Sequence, residues 1–391
     1  MSNAPSVLHV INSLDIGGTE KQLFLLLKYL DRTHFVSTVL SLSEGGHWAD
    51  RIQALGIELL QLERLGSYEF KRLWKLMSII RSRRPDIVHT WQPAGNLYGG
   101  IAARLSRHRR LILSSRSVDR PGGLRAAVDV GVFAGASAVV CNSRALADDL
   151  IMRRRVTAPP VIIHNGMEFE SAPSGATRAD RAKIRAQLDL PASSKVIGSV
   201  GRMVPFKNQG LVIQVAARIL RERNDCCFLL IGDGPTRSEL EARAHRLGVS
   251  GHIRFLGQRD DVPALLAACD VFLFPSMHLT GTDGVAGEGF PNALMEAMRA
   301  SLPCIASNQS GAIELFSDGE AGYLLDSDDE AGFSRTLLQL LRDDQLRIAL
   351  GNRGSEIVLK RFGADTMAQH FDELYARMLE PIGLDQGLAS A

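Results

Sequence analysis

The stretch "GEGFPNALMEAM", residues 287–298, sets two glutamates, Glu288 and Glu296, around a turn and the start of a helix. Pro291 has no backbone N–H, so it suits the first helical position, where that N–H would be unpaired. Ala293-Leu294-Met295-Glu296-Ala297-Met298 are strong helix formers. Glu288 therefore precedes the helix, and Glu296 lies about two turns into it. The amides of Asn292, Ala293 and Leu294 should point out of the helix toward an anion. A carboxylate beside a phosphate site is an odd choice unless it binds hydroxyls. Two of them suit two sets of hydroxyls, one on a ribose and one on a sugar.

Working outward, the chain has 391 residues, which predicts two domains. Its 45% hydrophobic and 23% charged content is that of an ordinary globular protein. No apolar run reaches the roughly 18–20 residues of a membrane-spanning helix. The start, "MSNAPSVLHVIN", has no basic leader before an apolar core, so no secretory signal is expected. Cys141, Cys226, Cys227, Cys269 and Cys304 lack metal-ligand spacing and read as buried thiols of a reducing cytosol.

Strand-like apolar runs alternate with helical stretches throughout. "SVLHVIN", "FVSTVLSL", "DIVHT", "LILSS", "SAVVCNS" and "PVIIHNGM" form one series. "KVIGSVG", "CCFLLIGDG", "IRFLG", "VFLFPS", "PCIAS" and "GYLL" form a second. Such alternation predicts parallel sheets, hence an α/β protein of two Rossmann-like doubly wound domains facing across a cleft. The expected boundaries are 1–168 and 190–365, joined by a linker at 169–189. A terminal helical segment, about 366–391, is expected to pack back on the first domain. Ligands of such sheets bind at the carboxyl ends of the strands, so the loops there hold the informative residues.

In "VGRMVPFKNQG" (200–210), Arg202 and Lys207 lie across a proline turn and can reach one diphosphate. Two surface cations in a loop have the same spacing. "IGDGPTRSEL" (231–240) matches a dinucleotide fingerprint only in Gly232 and Gly234, and a tight strand-to-helix turn explains it better. "DSDD" (326–329) reads as a helix N-cap at Asp328 or Asp329 rather than a metal site. Gly17 and Gly18, between the first strand and helix, allow close backbone approach to an anion.

Charge is unevenly spread. Residues 1–165 hold 22 Lys+Arg against 13 Asp+Glu, although the whole chain is only +2. "RSRR" (81–84), "RHRR" (107–110) and "RRR" (153–155) carry much of the excess, and such patches attract anionic membranes or nucleic acid. "KRLWKLMSIIRSRR" (71–84) sets Leu73, Trp74, Met77 and Ile80 on one helical face with cations around the other.

Together these pieces resemble glycosyltransferase family 4, the retaining nucleotide-sugar transferases with the two-domain GT-B fold. The resemblance covers nearly the whole chain and is strongest over 196–325, including "EGFPNALMEAMRASLPCIAS" and "SGAIELFSDGEAGYLL". The first half matches more loosely through "IGGTE", "RPDIVHTW", "VVCNSRAL" and "VIIHNGMEF". The resemblance implies that Glu296 holds the ribose hydroxyls and Glu288 lies beside the transferred sugar. The turn and helix start (Gly289, Phe290, Asn292, Ala293, Leu294) would take the diphosphate. Arg202 and Lys207 would neutralise it as it departs, and Gly17 and Gly18 would approach it from the other domain. Gly257 and Arg259, in "FLGQRDD", would flank the base, through backbone more than side chains. No metal and no cofactor are implied, because Arg and Lys provide the charge.

Two departures from the family pattern stand out. Relatives carry a functional histidine after the strand "DIVHT". Here Trp91-Gln92-Pro93-Ala94-Gly95-Asn96 follows, with His89 inside the strand and Asn96 a candidate substitute. Between Ser276 and Glu288 the chain inserts "MHLTGTDGVAG", where His278, Thr282 and Asp283 are candidates to touch donor sugar or acceptor. The resemblance implies transfer of a hexosyl or N-acetylhexosaminyl group from a UDP-sugar, or a GDP-sugar, to a glycan, polyprenyl-linked or lipopolysaccharide-type acceptor. Nucleic acid is not an expected partner. The expected location is the cytoplasm, with peripheral contact to the anionic inner face of the membrane. A nucleotide-sugar 2-epimerase, or a nucleotide-sugar binding module without catalysis, stands as the alternative.

Overall fold

The computed structural model describes residues 4–63, 69–121, 123–154, 156, 158–169, 178–281, 284–309 and 311–380. The first series of strands is β1 (Ser6–Ile11), β2 (Val36–Ser41), β3 (Glu58–Gln61), β4 (Ile87–Trp91), β5 (Leu111–Ser115), β6 (Ser117–Pro121), β7 (Ala138–Cys141) and β8 (Val161–Ile162). All but β6 form one sheet, in the order β3-β2-β1-β4-β5-β7-β8, with every pair parallel. Helices α1 (Gly18–Tyr29), α2 (Ala49–Ala54), α3 (Glu69–Arg83), α4 (Gln92–Leu105), α5 (Gly123–Ala134) and α6 (Arg144–Arg154) connect these strands. β4 is buried at every position, as expected of a strand covered on both faces.

The second sheet runs β11-β10-β9-β12-β15-β16, again with every pair parallel. Its strands are β9 (Lys195–Val200), β10 (Cys226–Ile231), β11 (Ile253–Gly257), β12 (Val271–Phe274), β15 (Cys304–Ser307) and β16 (Gly322–Leu325). Between β12 and β15 the chain forms the hairpin β13 (Leu279–Gly281) and β14 (Gly284–Glu288). The accompanying helices are α7 (Arg178–Gln187), α8 (Gln209–Ile219), α9 (Arg237–Arg246), α10 (Val262–Ala267), α11 (Asn292–Arg299), α12 (Ala312–Leu315), α13 (Glu330–Arg342) and α14 (Asp344–Arg361).

One expectation needs correction. Residues 178–187, expected within the linker, form α7 on the second sheet, where Arg181 and Arg185 both bind Asp270 (2.6 and 2.8 Å). The charged surface of this segment hides that anchor, because a buried Arg–carboxylate cluster leaves no apolar stripe in the sequence. The inserted segment carries the hairpin β13–β14. β14 pairs antiparallel with β6 of the other half, Glu288 opposite Ser117 and Gly284 opposite Pro121. Thr282 and Asp283 lie outside the described residues.

Helix α15 (Ala364–Leu379) returns to the first sheet. Phe371 and Tyr375 are fully buried there in one cluster with Ile11, Trp91 and Ile112. The crossing is fixed by a backbone bridge between Met167 and Gly363. All five cysteines are buried and unbridged, and burial pushes the thiols of Cys141, Cys226 and Cys269 up to about 12. Asp329 caps α13, its Oδ1 accepting from the Gly332 amide at 2.8 Å.

Candidate active site

In each sheet the strand order reverses direction between the first strand and its neighbour, β1 and β4 in one, β9 and β12 in the other. A doubly wound sheet binds ligands outside the carboxyl ends at that point. The loops there hold Gly17-Gly18, Gln92, Arg202–Lys207 and the segment from Ser276 to Asn292. The two crevices face each other.

The start of α1 meets the start of α11 across the gap. Asn292 Nδ2 donates to the Gly18 carbonyl at 3.3 Å, and a Cβ on Gly18 would come within 2.8 Å of that nitrogen. Two helix N-termini thus converge, each with unpaired amides and a partial positive charge. Convergent helix starts of this kind can hold an anion.

Charged side chains lie on the same helices and the adjoining loops. Lys207 pairs with Glu288, both largely buried, and its ammonium lies 5.3 Å from the Phe274 ring centre. Arg202 is exposed and has no ion pair among the described residues. Glu296 accepts from Lys21 of α1 at 2.5 Å, and this carboxylate holds the Lys21 ammonium above the ordinary lysine range, against its burial. A narrow recess beside Glu288 is lined by Ser276, His278, Ser307 and Gln309.

Several expected residues serve other ends. Phe290 and Leu294 are buried in the second core, and Phe290 packs against His164 with ring centres 4.8 Å apart. They hold the helix start rather than offer side chains to a ligand. The Ala293 amide belongs to the half-buried first turn of α11. Arg259 is held by Asp261 through two bonds of 2.7 and 2.6 Å, and no described hydrogen bond or ion pair joins it to the Glu288–Glu296 cluster. Gly257 ends the edge strand at φ 66 and accepts from the Gly232 amide at 2.8 Å. Asn96 is buried with its amide engaged, accepting from Thr90 (2.7 Å) and donating to the Ser114 carbonyl (2.9 Å). That leaves it unsuited to activate an acceptor. His89 bonds Tyr375 Oη (2.7 Å) and Ser114 Oγ (2.8 Å), and burial depresses its pKa strongly.

A cross-cleft clasp has no spacing signature in the sequence. Asn165 donates to the Phe290 carbonyl (3.1 Å) and to Asn292 Oδ1 (2.8 Å). Gln22 donates to Asn292 Oδ1 at 3.2 Å, and Arg116 donates to Asn165 Oδ1 at 2.7 Å. A Cβ on Gly289 would lie 2.3 Å from the Arg116 carbonyl, so only glycine lets the two halves approach this closely. Asn142 donates to the Arg116 carbonyl at 3.1 Å. The available signal was positional, since Asn142 directly follows β7 and Asn165 lies three residues after β8.

At the first crevice, Gln92 adopts φ 66 immediately before Pro93. A non-glycine residue in that region costs about 1–3 kcal/mol and is held by its surroundings, commonly at functional sites. Its Nε2 donates to Glu20 Oε1 at 2.5 Å. A small recess of mixed character lies beside it, lined by Thr19, Gln92, Ser115 and Ser117 together with Asp129 and Phe133.

Two facing doubly wound halves, with an anion site and carboxylates between them, define the GT-B class of glycosyltransferase. Residues 180–357 match the family model "Glycosyl transferases group 1", and residues 16–171 match "Glycosyltransferase Family 4". The chain belongs to this family of glycosyltransferases. It is 29% identical over 305 residues to the lipopolysaccharide core biosynthesis glycosyltransferase LpsE of Rhizobium meliloti, covering 77% of this chain and 79% of that protein. It is also 29% identical over 303 residues to the UDP-Gal:alpha-D-GlcNAc-diphosphoundecaprenol alpha-1,3-galactosyltransferase of Escherichia coli, covering 74% and 75%. Among solved structures it resembles Anabaena Alr3699/HepE in complex with UDP-glucose, with a TM-score of 0.81, 24% identity, and 95% and 99% of the two chains covered.

Proposed function

We propose that this protein is a retaining glycosyltransferase that moves a hexosyl or N-acetylhexosaminyl group from a nucleotide sugar to a lipid-linked or lipopolysaccharide-type acceptor. The observation that carries the reading is the convergence of two helix N-termini, at Gly18 and Asn292, on elements that also carry the Lys207–Glu288 and Lys21–Glu296 pairs, with Arg202 in the same loop as Lys207. The helix starts and cations fit a departing diphosphate. Glu296 fits the ribose hydroxyls, with Lys21 orienting it, and Glu288 fits the transferred sugar. A UDP-sugar is favoured because HepE was crystallised with UDP-glucose. The acceptor class follows the names of LpsE and the diphosphoundecaprenol galactosyltransferase. Arg202 and Lys207 provide the charge that a metal supplies elsewhere, so EDTA should leave turnover unchanged.

A thermal-shift panel of UDP- and GDP-sugars tests the donor. A ligand at about 100 times its Kd adds about 2.7 kcal/mol of stability. The true donor should raise the melting temperature of the wild type and not of Glu296→Ala, whose lost charged hydrogen bonds are worth roughly 1.5–3 kcal/mol each. Unchanged nucleotide affinity in a folded Glu296→Ala protein would defeat the ribose assignment. Donor turnover that needs no acceptor and yields an isomerised sugar would indicate an epimerase instead.

A further inference from the structure

Arg116 directly follows β5 and is buried at the clasp between the two halves. Its guanidinium lies 4.6 Å from the Trp91 ring centre and 5.9 Å from that of Phe371. Among the described residues no carboxylate pairs with it, and its Nε and Nη2 are buried without a partner. The one hydrogen bond its side chain makes there runs from Nη1 to Asn165 Oδ1 at 2.7 Å. Burial pushes the guanidinium down to about 9, which leaves it charged at neutral pH. A buried charge without a counter-ion weighs against the folded state, and an apolar side chain of similar volume would fold more stably in its place. The charge therefore has to be explained by what it does.

We infer that Arg116 sets the direction of hydrogen bonding through the whole clasp and thereby positions the start of α11 against the start of α1. Arg116 is a positioning residue, and the inference rests on the transferase reading above. Arginine has donors and no acceptor, so it can face only the oxygen of the Asn165 amide. Asn142 Nδ2 points to the same oxygen at 3.4 Å. Asn165 Nδ2 is thereby turned toward the Phe290 carbonyl and Asn292 Oδ1. Gln22 brings a second donor to Asn292 Oδ1. The sense of Gln22 is fixed by Gly166, whose amide donates to Oε1 at 2.8 Å and whose carbonyl accepts from Nε2 at 2.9 Å. Asn292 then presents its own Nδ2 to the Gly18 carbonyl.

The oxygen and nitrogen of an amide are nearly equal in size, so a row of amides alone can run in either sense. An ionic donor at one end removes that choice. Its charge also strengthens the first bond and, by polarising each amide in turn, those beyond it. The outcome is one fixed spacing between the two helix starts, set from a residue that touches neither of them with its side chain.

The test uses the full-length protein with UDP as the probe. Arg116→Met should raise the Kd for UDP about tenfold, and Asn165→Ala should raise it by a similar factor. The double variant should bind no more weakly than Asn165→Ala, because the guanidinium acts through that amide. Arg116→Lys, which keeps a charge and only donors, should return the Kd to within about threefold of the wild type. The melting temperature of Arg116→Met should not fall, since the charge removed has no partner. Small-angle scattering reads the clasp without a ligand: Arg116→Met should raise the radius of gyration, and Arg116→Lys should not. Wild-type UDP affinity in Arg116→Met would overturn the inference. So would a double variant weakened by the product of the two single factors, or a melting temperature lowered by about 5 °C or more in Arg116→Met. If Arg116→Met does not fold, an Arg116→Lys protein as weak for UDP as Asn165→Ala overturns it equally. A wild type that binds no UDP would defeat the nucleotide-sugar reading itself, and equal radii of gyration for wild type and Arg116→Met would then overturn the inference separately.

Discussion

Lys207 and Arg202 share one loop after β9 in different states. Lys207 is enclosed and paired with Glu288, whereas Arg202 is exposed. On the proposed reading, negative charge on the diphosphate grows as the glycosidic bond breaks, so both cations would matter most in the transition state. Arg202→Ala and Lys207→Ala should each lower kcat on the order of 100-fold and raise KM far less. Lys207→Ala should also lower the melting temperature, because Glu288 is left largely buried without its partner. Steady-state kinetics decides the first point. A fall in kcat/KM at constant kcat would mean that the cations bind ground and transition states equally. The glutamates and cations were legible as a spacing pattern in the sequence. Gln22, Asn142 and Asn165 were not, because amides have no characteristic spacing and gain meaning only when the two halves meet. Phe290 and Leu294 were legible as part of the motif, but their burial follows from the core beneath it.

At the scale of elements, the inserted hairpin is the feature least visible beforehand. "HLTGTDGVAG" is rich in residues that strands avoid, and its pairing partner, β6, belongs to the other half of the chain. Strand formation there depends on an edge supplied by tertiary structure rather than on local preference. By contrast the parallel strands announced themselves as apolar runs, since both of their faces are covered. The β6–β14 ladder places Glu288 opposite Ser117, which lines the recess beside Gln92, so it ties the two halves of the cleft together. The His278 ring sits against Gly287, so the ends of the hairpin are close together. Replacing Leu279–Ala286 with a two-residue Asn-Gly turn should therefore leave a folded protein. Its affinity for UDP should stay within about fivefold, an amount of roughly 1 kcal/mol. Its transfer rate should fall at least tenfold, and its radius of gyration should rise as the two halves part. Small-angle scattering and kinetics indistinguishable from the wild type's would show that the ladder does not hold the cleft closed.

For the whole molecule, the alternation of strands and helices foretold two doubly wound sheets, while the return of α15 rests on Phe371 and Tyr375, an apolar stripe readable in "DTMAQHFDELYARML". The uneven charge was equally plain, but not its placement. Leu76 and Ile80 of α3 are buried, and Leu73 and Met77 pack beside them. Trp74 does not share that face as expected. It is 73% exposed, and Phe70, one turn earlier, is 85% exposed. Both lie toward the start of α3, at the end of the sheet that faces the cleft, with Lys71 and Lys75 beside them and Arg81 and Arg83 further along. Described helices include none long and apolar enough to cross a membrane. An aromatic pair ringed by cations suits the interface of an anionic bilayer, where aromatic rings sit among headgroups and each cation adds about 1 kcal/mol. This arrangement would hold the first half against the surface that carries a lipid-linked acceptor. The protein should co-sediment with anionic vesicles and not with neutral ones, and high salt should release it. Phe70→Ser with Trp74→Ser should weaken binding even at low salt, while Arg81, Arg83 and Arg84 to Ser should weaken it mainly by reducing the salt-sensitive part. Equal sedimentation of wild type and Phe70/Trp74 double variant would reduce the contact to charge alone. No preference for anionic vesicles at low salt would leave the basic half to serve a charged acceptor in solution.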